Sequence, residues 1–389
     1  MRVLCVFGTR PEAIKMAPVI WALARCAADV SVRICVSAQH RQMLDQMLAL
    51  FKIHPDIDLD LMEPEQTLAH LTSQLIERMT TVLEEERPDW VLVQGDTTTA
   101  MTTALASFYQ RVAVGHIEAG LRTNDPYNPF PEEINRRIVS KLASLHFAPT
   151  ERARQSLLAE DIREQNVFLT GNTIVDALRS VLAAPPSKAA SQLLVRFEDW
   201  TSRRAGKCLH NQRIVLVTAH RRESFGERFD SMCRGIRRLA DENPGILIVY
   251  PVHLNPEVQR PVNRLLGSHP RIHLLEPLAY EPFIRLMNLS YLVLTDSGGI
   301  QEEASVLGKP VLVLRRVTER KEIIDAGIGR LVGTDGNAIA EEGGRLLRDP
   351  DLHRAMEGAK DLYGDGHAAE RIVDTLLNHG QSTKKRDSC

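Results

Sequence analysis

Short apolar runs rich in β-branched residues alternate with longer amphipathic stretches from one end of the chain to the other, and this alternation sharply limits the choice of fold. The runs are Val3–Phe7, Val30–Val36, Trp90–Val93, Val112–Ile117, Leu145–Phe147 and Val167–Leu169. After a gap come Ile214–Thr218, Ile246–Pro251, Ile272–Leu275, Tyr291–Thr295, Pro310–Leu314 and Arg330–Val332. Leu68–Leu83, Arg228–Ala240 and Pro282–Leu289 carry helical periodicity between them. Continuously apolar strands joined by helices belong to parallel sheets covered on both faces. The first series ends near Thr170 and the second begins near Ile214, so 389 residues divide into two domains, each about 150–200 residues long. Their expected limits are 1–175 and 176–366. The stretch from Pro185-Pro186-Ser187 to Gln212, which follows a helix around Ile174–Leu182, carries no chemical motif and reads as the crossing region. The expected class is α/β, with two doubly wound, Rossmann-like domains facing one another across a cleft. Ligands of such sheets bind beyond the carboxyl ends of the strands, so function is to be sought there.

Charge narrows the choice of ligand. Lys plus Arg is 48 and Asp plus Glu is 50, a formal charge of −2, which gives no global attraction for nucleic acid or an anionic membrane. Any anionic ligand must be held by locally placed cations. No apolar run approaches the roughly 20 residues of a membrane helix; Ile246–Val252 is typical of the longest. Met1–Phe7 meets Gly8 and Arg10 too early for a secretory signal. The cysteines (Cys5, Cys26, Cys35, Cys208, Cys233, Cys389) are scattered with no Cys-x-x-Cys pair, which points to a reducing, cytoplasmic setting and no zinc site.

Gly8-Thr9-Arg10-Pro11-Glu12-Ala13-Ile14-Lys15 follows the first strand. Thr9 and Glu12 have the spacing of a capping box, with Pro11 in the first turn. Capping does not account for Arg10 and Lys15, because cations are disfavoured at the positive end of a helix. Their presence points to an anion such as a diphosphate. Gln94-Gly95-Asp96-Thr97 follows the third run, where Asp96 is either a helix cap or a reactive acid. His116-Ile117-Glu118-Ala119-Gly120-Leu121-Arg122-Thr123 and Pro131-Glu132-Glu133-Ile134-Asn135-Arg136 come next. Glu132 and Arg136 are also spaced as a plain i,i+4 pair. Asp96, Glu118 and Glu132 are expected to aim into one cleft and, as clustered carboxylates, to raise one another's pKa for acid–base work.

In the second half Ala219-His220-Arg221-Arg222-Glu223 places a histidine among charges at a strand end. Pro251-Val252-His253 ends the next strand and reads equally as a turn or a ligand contact. Asp296-Ser297-Gly298-Gly299 opens a helix with bare backbone N–H groups, a ready phosphate cradle, and Glu303 lies one turn on, placed to accept from a ribose hydroxyl. Gly327-x-Gly329-x-x-x-Gly333 has neither the spacing nor the setting of a dinucleotide fingerprint. A Walker loop, His-Glu-x-x-His and the Pro-Cys-x-x-Cys half of a deaminase motif are all missing, so neither cofactor nor metal is expected.

Taken in order, Gly8–Pro18, Gly95–Ala100, His116–Thr123, Pro131–Arg136, Thr170–Asp176, Thr218–Glu223, Tyr250–Pro256, Asp296–Ala304 and Thr318–Arg320 resemble the non-hydrolysing UDP-N-acetylglucosamine 2-epimerases, of GT-B (glycogen-phosphorylase-like) fold. The resemblance implies that Arg10, Lys15, His220, Ser297, Gly298, Gly299 and Arg320 surround the UDP diphosphate. It places Phe283 and Glu303 at the uridine, with Leu278 near the uracil at a position often polar. Asp96, Glu118, Glu132 and Arg136 fall on the side of the reacting sugar, close to His220. It further implies a homodimer and a final helix, about Ala368–Leu377 within a segment 367–389, packed back on the first domain. Some bacterial members bind a second UDP-N-acetylglucosamine as an allosteric activator; Gln39, Gln42 and His253 match that pocket, where Glu65 replaces an expected arginine. The chain also departs from the family pattern at Arg316, Val317 and Lys321, at Ile328, where threonine is usual, and at Ser305, where proline is usual.

The implied reaction explains the residue types. The proton on carbon 2 has no adjacent carbonyl, so a side chain cannot simply remove it. Without a loop for NAD, the open route is loss of UDP from carbon 1 to give a 2-acetamidoglucal, then re-addition with a proton delivered to the opposite face. Cations and helix N-termini stabilise the leaving diphosphate, and two proton-handling groups are required. A hydrolysing epimerase releasing free N-acetylmannosamine and a GT-B glycosyltransferase are the alternatives, and a non-catalytic UDP-sugar sensor is a third. The product that appears separates them.

Overall fold

The computed structural model describes residues 1–38, 41–63, 66–203, 213–357 and 362–386, with the backbone alone at 42, 198–203 and 380–386. It divides into two units, Met1–Arg179 with Tyr363–Cys389, and Ser180–Leu362. Among the described residues no helix is long and apolar enough to cross a membrane.

The first unit holds seven strands: β1 (Arg2–Phe7), β2 (Ser31–Val36), β3 (Ile57–Asp58), β4 (Trp90–Gln94), β5 (Ala113–Ile117), β6 (Leu145–Ala148) and β7 (Val167–Leu169). They lie in the order β3-β2-β1-β4-β5-β6-β7, and every pairing is parallel. Val3–Phe7 of β1 and Val91–Val93 of β4 are fully buried, as central strands covered on both faces must be. Helix Ala368–Arg386 returns from the far end of the chain and packs against helix Arg10–Arg25.

The second unit repeats the design with β8 (Arg213–Thr218), β9 (Ile246–Pro251), β10 (Ile272–Leu275), β11 (Leu292–Thr295), β12 (Val311–Val313) and β13 (Gly329–Leu331). Its order is β10-β9-β8-β11-β12-β13, again all parallel. Its core joins Val215, Val217, Ile248, Tyr250, Leu294 and Leu312 from the sheet to Phe229, Met232, Ile236 and Ile339 from the helices. Each unit is thus a doubly wound, Rossmann-like α/β fold.

Strand order fixes where ligands can gather. In the first sheet it reverses between β1 and β4; in the second, between β8 and β11. At such a switch point the connections leave in opposite directions and open a crevice at the carboxyl ends of the strands. Gly8–Arg10 follows β1, Gly95-Asp96 follows β4, His220 comes two residues after β8, and Asp296 directly follows β11.

The stretch that carries no chemical motif contains helix Lys188–Arg203, which belongs to the second unit. Ala190 and Phe197, two turns apart on one face, are buried, and the helix packs against helix Tyr280–Leu289. The many polar residues around them mask this apolar stripe in sequence. Residues 204–212 lie outside the described residues.

Candidate active site

The turn after β1 is built around Glu12. Its Oε2 accepts the backbone N–H groups of Gly8 and Thr9, at 2.9 and 2.7 Å, and its Oε1 accepts the Thr97 hydroxyl at 2.6 Å. The carboxyl thus fastens the start of helix Arg10–Arg25 to the turn after β4. Burial pushes its pKa up, and these hydrogen bonds oppose the rise. Arg10 stands exposed on the first turn.

Lys15, one turn deeper, is buried and its ammonium meets the Glu118 carboxylate. Glu118 follows β5 and takes φ of +64°, a left-handed conformation that is uncommon for a side-chain-bearing residue. Gln94 donates to its Oε2 at 2.6 Å, and Asn172 to its Oε1 at 2.9 Å. Three neutral or cationic donors thus converge on one carboxylate.

Asp96 is not the cap of the next helix. Thr97 holds that place, its hydroxyl accepting the Ala100 N–H at 3.0 Å. Asp96 instead meets the Arg136 guanidinium, and its backbone carbonyl accepts from Asn135 at 3.0 Å. Arg136 also reaches Glu133 at 3.4 Å. Glu133 is fully buried, accepting from the Thr123 N–H at 3.0 Å and from Arg137 at 3.0 Å. Burial alone would raise its pKa, yet these donors hold it below the ordinary carboxylate range. Glu132 opens helix Glu132–Leu142, one turn before Arg136.

The acids are therefore carried on neighbouring pieces of one unit, and Glu118 and Asp96 each face a cation. Beneath them His116 donates to the Gly95 carbonyl at 2.8 Å, tying β5 to the Gly95-Asp96 turn. Burial lowers its pKa to about 4, so the ring is neutral near pH 7.

In the second unit Asp296, fully buried, accepts the backbone N–H groups of His220 and Arg221 at 2.7 and 2.8 Å. The His220 ring stacks on that of exposed His253, with centroids 5.3 Å apart. Ser297 donates its N–H to the Thr295 hydroxyl at 3.0 Å and stands at the N-terminus of helix Gly298–Val306. The first-turn amides of Gly298 and Gly299 have no acceptor within the helix. The Arg320 guanidinium lies against Gly298, where an added Cβ would come within 3.6 Å of its Cζ, and Arg320 is steadied by Glu302 at 2.5 Å. A bare helix end with a cation beside it is suited to a phosphate. Leu278 and Phe283 are half-buried and Glu303 is buried. Arg315, buried, pairs with Glu223 and Glu319, both at 2.9 Å, so the departures from the family pattern flank a structural arginine.

Gln39 and Glu65 lie outside the described residues, as does the side chain of Gln42. Among the described residues no group of three or more His, Cys, Asp or Glu side chains is arranged to hold a metal ion. Sequence reading missed Gln94 and Asn172 as holders of Glu118, Glu133 as a partner of Arg136, and Asp296 as the partner of His220. A signal existed for two: Gln94 is the one polar residue of an apolar strand, and Asp296 directly follows another.

Comparison with known proteins bears on the whole chain. A family model described as UDP-N-acetylglucosamine 2-epimerase matches residues 24–377. A Yersinia pestis protein named UDP-N-acetylglucosamine 2-epimerase is 51% identical over 383 residues, covering 97% of this chain and 99% of that one. The Escherichia coli K12 protein of the same name is 51% identical over 381 residues, with 97% and 99% covered. The crystal structure of UDP-GlcNAc 2-epimerase from Neisseria meningitidis bound to UDP-GlcNAc matches with a TM-score of 0.85 at 47% identity, covering 97% of this chain and all of that one.

Proposed function

The chain belongs to the UDP-N-acetylglucosamine 2-epimerase family, and from that premise we propose that it interconverts UDP-N-acetylglucosamine and UDP-N-acetylmannosamine without hydrolysis, by eliminating UDP and adding it back. In the first half-reaction the bond from carbon 1 to the diphosphate oxygen breaks as carbon 2 gives up its proton, leaving UDP and a 2-acetamidoglucal. In the second, the diphosphate oxygen re-forms its bond to carbon 1 and a proton reaches carbon 2 from the opposite face.

The observation that carries this reading is the pairing of Glu118 with Lys15 and of Asp96 with Arg136 at the switch point of the first sheet. An acid fixed beside a cation keeps its place while exchanging a proton. Asp96, Glu118 and Glu132, with His220, are the proposed proton handlers, and Arg136 holds the sugar. Arg10, Lys15, His220, Ser297, Gly298, Gly299 and Arg320 stabilise the diphosphate as its negative charge grows, the electrostatic contribution that usually dominates such steps. Because Lys15 touches Glu118 directly, its positive charge serves the acid as well as the nucleotide. Leu278, Phe283 and Glu303 receive the uridine.

The proposal includes a homodimer that works in the cytoplasm, where thiols such as the free Cys5, Cys26, Cys35 and Cys233 stay reduced. It also includes a second UDP-N-acetylglucosamine, bound at Gln39, Gln42 and His253, as activator. The test of the reaction is incubation with UDP-N-acetylglucosamine alone, without NAD or metal, followed by identification of the product. UDP-N-acetylmannosamine is expected; free N-acetylmannosamine with UDP means a hydrolysing enzyme, and unchanged substrate excludes epimerisation.

A further inference from the structure

Glu118 sits in a backbone conformation that costs energy, so something must hold it there. Its φ of +64° lies in the left-handed region, where side-chain-bearing residues persist only when their surroundings over-determine them. Lys15 neutralises the carboxylate, but an ammonium on a flexible stem fixes charge better than direction. A planar amide fixes direction, and Asn172 supplies one.

Each polar group of Asn172 is engaged, its backbone carbonyl accepting the Val175 N–H at 3.1 Å. The residue is 3% exposed. Its Nδ2 donates to Glu118 Oε1 at 2.9 Å, while its Oδ1 accepts the Ile174 N–H at 3.0 Å. Its own backbone N–H donates to the Tyr363 carbonyl at 2.7 Å. The N–H donated by Ile174 pins the amide plane at the start of helix Thr173–Ala183, and the backbone bond pins the residue to the segment leading into helix Ala368–Arg386. Gly171 makes this close approach feasible: a Cβ there would stand 3.1 Å from the same Tyr363 oxygen, and its φ is +90°. The side chain that reaches Glu118 is thus anchored at two points independent of Glu118.

We propose that Asn172 is a positioning residue that orients the Glu118 carboxylate for proton exchange at carbon 2 of the sugar, an inference that rests on the reading of Glu118 given above. Asparagine fits because the place needs both a donor and an acceptor. Aspartate keeps the acceptor for Ile174 but turns the donor into a second anionic oxygen against Glu118. Serine keeps an acceptor near Ile174 and is too short to reach the carboxylate.

The test is steady-state epimerisation of UDP-N-acetylglucosamine by N172D, N172S, E118Q and the N172D/E118Q double variant. N172D and N172S are expected to lower kcat about 10- to 100-fold, as small misplacements of a reacting group do, with KM within about twofold. If N172D does not fold, N172S carries the same expectation. In the E118Q background N172D is expected to cause no further loss, because the group it orients is gone. Losses that multiply in the double variant, or a rise in KM with kcat unchanged, overturn the inference while leaving the role of Glu118 intact. An E118Q enzyme with full turnover overturns both.

Discussion

Asp296 holds His220 from two sides: Oδ2 accepts the His220 backbone N–H at 2.7 Å, and Oδ1 lies 3.5 Å from the ring Nδ1. The acid is fully buried at the end of β11 and the histidine follows β8, so the contact spans the switch point of the second sheet. A carboxylate beside Nδ1 orients the ring. In Asp296→Asn the backbone amides keep an oxygen acceptor while the ring loses its anion. The expected result is a kcat lower by about 100-fold, the low end of what a positioned proton-transfer group contributes, with an unchanged melting temperature. Full kcat in this variant would remove Asp296 from the account.

The Lys15–Glu118 pair predicts a stability signature. Both side chains are less than 10% exposed, and removing one member of a buried pair leaves an uncompensated charge, at a cost of about 3–5 kcal/mol. Lys15→Met should therefore lower stability by that order in urea unfolding. Lys15→Met combined with Glu118→Gln should recover most of the loss. If the double variant is no more stable than Lys15→Met, the two charges do not compensate each other.

The buried histidines predict sensitivity to acid. Burial lowers His116 to about 4 and, together with the neighbouring charges of His116 and Arg122, lowers His146 to about 3. In the unfolded chain both rings gain a proton below about pH 6.5; folded, they do not until near those lower values. The folded state binds fewer protons across that interval, so stability falls as pH drops from 6.5 towards 4, by about 1.4 kcal/mol per pH unit for each ring. Thermal melts between pH 7 and 4.5 should show a shallower slope for His146→Gln than for the native chain. Equal slopes would contradict the assignment.

Close packing in the second unit is equally testable. A Cβ on Gly235 would stand 2.4 Å from the backbone oxygen of Gly336, where helices Glu227–Glu242 and Gly336–Arg348 cross. Backbone cannot yield as a flexible side chain can. Gly235→Ala should cost about 1–3 kcal/mol by overpacking, read as a drop in the unfolding midpoint. A midpoint equal to that of the native chain would show that the helices part freely.

Much of this was legible in the sequence. All twelve apolar runs are strands, because a central parallel strand must be apolar throughout and no other element of that length is. The strand missed, Ile57–Asp58, is two residues long, too short for any period to register. The strand-end motifs were visible for the same reason, since residues that stop an apolar run stand at the sheet's carboxyl edge. Their partners were not. Lys15 and Glu118 are 103 positions apart, Asp96 and Arg136 are 40 apart, and Asn172 is 54 from Glu118. Those pairings depend on the strand order β1-β4-β5-β6-β7, which local pattern does not encode. Glu118 meets Lys15 because β1, whose following helix carries that lysine, lies beside β4 in the sheet.

The most direct test of the central claim is turnover of UDP-N-acetylglucosamine in heavy water, with the product examined for deuterium at carbon 2. Elimination and re-addition deliver the new proton from solvent-exchanged acids, so UDP-N-acetylmannosamine carrying one deuterium on that carbon is predicted. Product that keeps its original hydrogen there would contradict the account.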